Sequence, residues 1–155
     1  MTLAVPVRKL TVQLVDMRGE RSPAVVFLHA VSSHDPRPET LGDRLNAAEA
    51  KFLPCQVGDR VELVQVAWLS YLEVSGTLPE VDGLRAVGAH EEDLELELAH
   101  GEKVSGTFLY EARSGRDRVS DVLNSEGSEF LLLMNDERTL YVRRGAIVRV
   151  HVREA

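Results

Sequence analysis

The chain has 155 residues, 44% of them hydrophobic and 28% charged, with one cysteine and a net charge of −7. That suffices for one ordinary domain or two very small ones and is too apolar for a disordered chain. Cys55 alone excludes an internal disulfide, and no apolar run approaches the ~20 residues of a bilayer-spanning helix. "MTLAVPVRKL" places its charges after its apolar stretch, the reverse of a secretory signal. Together these features predict a reducing, cytoplasmic setting without a membrane. Residues 1–77 carry 8 basic and 9 acidic side chains, residues 78–155 carry 10 and 16. So acidic a chain counts against general binding to nucleic acid or anionic lipid.

In chain order, "LTVQLVD" and "PAVVFLHAV" read as a hairpin around Arg18-Gly19, because both are apolar and β-branched and glycine supplies the turn. "SSHDPRPET" is a polar loop. "AKFLPCQV" is a third strand, with Pro54 predicting an edge or a bulge. After Gly58-Asp59 come "RVELVQV" and "WLSYLEV", the fourth and fifth strands. The glycine-containing stretch 75–92 shows no clear period and reads as a linker. The second half repeats the order. "DLELELA" alternates leucine with acid, as a half-buried strand does. His100-Gly101-Glu102 is the turn, and "KVSGTFLYEA" returns, its Gly106 hinting at a bulge or bend. Ser120 is a candidate N-cap for one helical turn. "EFLLLMN", "TLYVRR" and "AIVRVHVRE" complete the set.

A shift of 78 positions aligns residues 40–74 with 118–152 without a gap. Eight of the 35 positions are identical, among them Asp43/Asp121, Leu45/Leu123, Asn46/Asn124, Phe52/Phe130 and Leu53/Leu131. Shifts of 82 and 81 extend the match upstream, to Gly19/Gly101 and to Phe27-Leu28/Phe108-Leu109. The expectation is an all-β protein of two tandem copies of a five-stranded, strongly bent small barrel, each with one short helical turn. Residues 1–77 form the first, 78–90 the linker and 91–155 the second. Units so small bury too little surface to be stable alone, which predicts a sizeable interface between copies, chains or both. In the repeated motif, Asp suits the first turn of the helix and Asn a left-handed position that ends it. Leu45/Leu123 and Phe52/Phe130 would then plug each barrel.

The order strand, glycine turn, strand, loop, "DVLN", strand, strand, "RRGAIVRV" resembles the Sm-like small barrel. Asp121, Asn124, Arg144, Gly145 and Ile147 match that family's Asp and Asn and its Arg-Gly followed by Ile. Val66-Ala67 stand at the Arg-Gly position of the first copy, so any RNA contact the resemblance implies belongs to the second. The chain is also similar to small bacterial domains with a D-x-L-N turn and an F-L-x-L strand, a resemblance that implies a fold and no activity.

Nothing in the sequence fits a catalytic, metal or cofactor site. The five histidines lack zinc spacing, and neither a nucleophile elbow nor a glycine-rich phosphate loop occurs. The acidic run 91–97 reads as a solvated strand face. Cys55 reads as a small core residue. What differs between the copies is surface chemistry. The second carries Arg113, Arg116 and Arg118 in one loop, and Arg143, Arg144, Arg149 and Arg153 near its last strands. Trp68 and Tyr71 stand in the first copy's last strand, either as a partner-binding patch or buried between copies. The arginines either pair with the chain's own acids or meet a partner. The sequence therefore predicts a non-enzymatic interaction module or adaptor that binds a protein partner or itself through Trp68, Tyr71, Arg143, Arg144, Arg149 and Arg153. RNA or nucleotide binding through Arg113, Arg116, Arg118 and Arg144 ranks second. No cofactor is expected.

Overall fold

A computed structural model describes residues 7–30, 38–47, 51–111, 118–125 and 127–153. The protein is mostly β: ten antiparallel strands form one sheet, in the order β10-β6-β7-β8-β9-β5-β1-β2-β3-β4. The first five are β1 (Val7–Asp16), β2 (Arg21–His29), β3 (Phe52–Val57), β4 (Arg60–Gln65) and β5 (Leu69–Ser75). The second five are β6 (His90–Leu98), β7 (Lys103–Tyr110), β8 (Phe130–Asn135), β9 (Arg138–Arg143) and β10 (Ile147–Val152). Each half of the sheet runs fifth, first, second, third, fourth. No described helix is long and apolar enough to cross a membrane.

The sheet is not closed, so the two separate barrels expected from the sequence are not what forms. The first half cannot close on itself because β5, which would have to meet β4, has its far edge occupied by β9 of the second half. β4 and β10 are left as the two ends of the sheet.

Period-2 apolar patterning places the strands. Leu94, Leu96 and Leu98 of β6 point inward while Glu95 and Glu97 do not. The expected turns are present. Gly58 and Asp136, 78 positions apart, both take left-handed backbone, at φ 63° and 51°, as tight hairpins need. Gly106 makes no bulge, since the β6–β7 register runs through it unbroken. It is small because β8 passes close: a Cβ there would lie 2.9 Å from the Met134 carbonyl oxygen. Pro54 is not on an edge strand either. The β2–β3 ladder holds only Val25–Gln56 and Val26–Cys55, ending beside the residue that lacks an N–H.

The stretch read as a linker is structured. It contains α2 (Pro79–Ala86), with proline in the first turn, where no N–H is missed. Leu78 and Val81 are buried. The short helices α1 (Leu41–Asn46) and α3 (Val119–Asn124) hold the repeated motif. At α1, Thr40 and Asp43 form a reciprocal capping box. At α3 the N-cap is Arg118, and Ser120 lies inside the helix. Neither Asn46 nor Asn124 is left-handed.

Two apolar clusters make the core, and each draws on both halves. The larger combines Val12, Val26, Leu45, Leu53 and Leu72 with Leu109, Phe130, Leu132 and Tyr141. The smaller combines Leu94, Leu96, Leu133 and Val142 with Val15 and Tyr71.

Candidate interaction surface

The halves meet along β5 and β9, paired from Tyr71–Val142 to Ser75–Arg138. Side chains lock this joint at several points. Asn46 Oδ1 of α1 accepts the Phe130 backbone N–H at 2.8 Å, so the Asn of the first motif caps the Phe of the second. The Arg143 Nε donates to the Leu69 carbonyl at 2.7 Å. The Tyr141 hydroxyl donates to Glu80 of α2 at 2.6 Å. Burial, with the Glu80 carboxylate alongside, holds the Tyr141 phenol far above its usual range.

A polar cluster fills the opposite side of the joint. Ser70 Oγ lies 3.2 Å from His100 Nδ1, and His100 Nε2 lies 3.0 Å from Glu102. The Tyr71 hydroxyl donates to Glu102 at 2.8 Å and accepts from Arg21 at 2.9 Å. Burial, with Glu102 accepting a hydrogen bond from its hydroxyl, pushes the Tyr71 phenol up to about 12. Gly19 makes room for the ring, since a Cβ there would sit 2.7 Å from His100 Cδ2. Ser, His and Glu in a row have the composition of a hydrolytic triad, and no sequence motif announced them. Ser70, however, is fully buried, with Met17 Sδ 3.6 Å from its Oγ. A nucleophile must reach a substrate carbonyl, and in this geometry the hydroxyl ties β5 to the β6–β7 turn.

The two outer strands contrast with this joint. Val61 and Leu63 of β4 are 71% and 66% exposed, and Val148 and Val152 of β10 are 63% and 43% exposed. The residues 78 positions away, in β9 and β5, are Thr139, Tyr141, Ser70 and Val74, all 3% exposed or less. Phe52 is 53% exposed where Phe130 is 2%, so of the expected plug residues Leu45 and Phe130 are in the core, Leu123 is half-buried against it and Phe52 is outside. The outer edge of an end strand offers its N–H and C=O groups to another chain.

The residues expected at a binding site scatter. Tyr71 is buried and hydrogen-bonded, whereas Trp68 is 45% exposed beneath the Arg18 guanidinium, 5.8 Å from its ring centre. The two therefore form no common surface patch. Arg143 is engaged at the joint, also reaching Glu129 at 3.4 Å. Arg144 donates to the Ser125 and Ser128 carbonyls, holding the loop between α3 and β8. Arg149 and Arg153 face Glu97 and Glu95 at 3.7 and 3.0 Å. Arg118 stands at the N-cap position of α3 without a side-chain capping bond, while Arg113 and Arg116 lie outside the described residues. A cleft of about 1020 Å³ between the helices gathers Asp43, Asn46, Asp121 and Arg144, bringing both copies of the repeated motif to one place. Among the described residues no group of His, Cys, Asp and Glu is arranged to hold a metal. Cys55 is buried, and burial pushes its thiol up, away from the reactive thiolate. No protein-family model, curated protein or solved structure matches the chain.

Proposed function

We propose that the protein is a non-enzymatic interaction module, built from a duplicated five-stranded unit, that engages protein through the open ends of its sheet. The observation that carries this reading is that β4 and β10, the apolar-studded end strands, each have one edge that no described residue pairs. Ordinary proteins protect such edges with lysine, proline, bulges or a covering loop. Here β4 exposes Val61 and Leu63 alongside Arg60 and Glu62. Duplication is supported by the recurring strand order and by helices, hairpin turns and strands that fall 78 positions apart. The arginines anticipated as ligand contacts mostly face internal acceptors, which favours protein over nucleic acid.

The test is affinity capture from native expression, with the wild type beside a Leu63→Lys/Val150→Lys variant of matched folding. A protein identified on the wild type and lost on the variant is the expected result, another copy of this chain included. Retention of the same set by both would overturn the reading.

A further inference from the structure

Resting on that reading, we infer that the partner is a second copy of this chain, docked head to tail by β10 of one molecule on β4 of the next, in the register that β5 and β9 use within the molecule. The internal joint is heterologous: it pairs the fifth strand of the first unit with the fourth strand of the second. A heterologous joint between repeated units leaves behind a free fifth strand and a free fourth strand, the two halves of another such joint. β10 and β4 are those strands.

Carrying the internal register across by 78 positions specifies the contact. Leu72–Tyr141 becomes Val150 against Leu63, and Val74–Thr139 becomes Val152 against Val61. Both are apolar pairs in which the β4 residue is 66% exposed or more in the single chain. Glu73–Leu140 becomes His151 against Glu62, which can attract. Tyr71–Val142 becomes Arg149 against Val64. Ser75–Arg138 becomes Arg153 against Arg60, a like-charged pair at the ladder's end, where Arg153 already has Glu95.

The side-chain locks carry across as well. Asn46 holds the Phe130 N–H across the internal joint, so Asn124 is placed to hold the Phe52 N–H of the next molecule. Val66 N–H donates to the Lys51 carbonyl, which makes Phe52–Gln65 a non-bonded pair of the ladder and turns the Phe52 N–H away from β4. Both Asn124 and Phe52 are exposed. Gln65 replaces Arg143 opposite the Ile147 carbonyl and keeps an N–H donor there. The repeated "D-x-L-N … F-L" pattern is thus the two sides of a joint, used once inside the chain and free to be used again outside it.

The test begins with solution mass. The wild type is expected as an assembly of 17.2 kDa chains, whereas Leu63→Lys and Val150→Lys, each blocking one edge, are expected as monomers. Mixing the two variants leaves one good β10 and one good β4, so a heterodimer that grows no further is expected. Should either variant misfold by circular dichroism, Glu62→Cys/His151→Cys gives a second route. Directly opposed residues of antiparallel strands lie within disulfide reach, and oxidation should yield an interchain ladder that Glu62→Cys alone does not. A wild type that is monomeric at about 100 μM, where contacts of micromolar affinity are saturated, overturns the inference. So does a heterodimer-free mixture of variants that each self-pair. If a monomeric wild type still captures another protein in an edge-dependent way, the interaction-module reading stands without this partner. If it captures nothing, both fall.

Discussion

Asn46 and Asn124 are the same residue at equivalent places, yet only Asn46 has a partner within the described chain. Asn46→Ala should lower the unfolding free energy by about 1 kcal/mol, the usual net value of such a bond, measured by urea denaturation. Asn124→Ala should leave the monomeric Leu63→Lys chain unchanged and weaken assembly of the wild type about five-fold, the same energy read as an equilibrium constant. Gly19 is held at φ +84° with the His100 ring against it. Gly19→Ala therefore combines backbone strain with a collision and should cost more than about 1 kcal/mol, while Gly58→Ala, with open space around it, brings the strain alone. Tyr71 and Tyr141, whose phenols are both held above their usual range, give the molecule an alkaline limit. The Tyr71 phenol loses its proton near pH 10 when unfolded and only near about 12 when folded. The folded state thus binds more proton between those values, and stability should fall as pH rises through that window. Tyr71→Phe should flatten the fall, as a pH series of thermal melts would show.

At the scale of elements, strands were legible because burial on one face writes a period of two, as in Leu94-Glu95-Leu96-Glu97. The hairpin turns were legible from glycine and the short polar residues. α2 was not. It is eight residues long, carries Gly83 and buries only Val81, too little for a helical period to stand out. Its place is set by tertiary contacts such as Glu80 with Tyr141. The joint was half legible. Repetition of Asp43-Leu45-Asn46 and Phe52-Leu53 marked a unit, but no pattern within one chain tells a core plug from a contact between units. Phe52, exposed, and Phe130, buried, differ only in what lies next to them. The Ser70–His100–Glu102 row was invisible because its members come from β5 and from the β6–β7 turn, which only the fold brings together. Thr40→Ala removes one side of the α1 capping box and should cost about 1 kcal/mol, seen as a lowered denaturation midpoint with unchanged slope.

For the whole molecule, the two cores are shared. Phe130 and Tyr141 complete the cluster of the first half, and Val15 and Tyr71 that of the second. Division between the halves would open both, so the monomeric Leu63→Lys chain should unfold in one cooperative transition, with calorimetric and van't Hoff enthalpies in agreement. Two resolved transitions would mean that each half is stable by itself.

The unlike ends of the sheet also give the molecule a direction. In the head-to-tail assembly we infer, a chain damaged at β4 but sound at β10 would still dock onto a normal neighbour, and growth would stop there. Such a chain is a terminator, incorporated as readily as a sound one. Co-expressed in minor proportion, it would shorten assemblies built mostly of intact chains, so a lesion on one edge would behave genetically as dominant, whereas a lesion that unfolds the protein would be recessive.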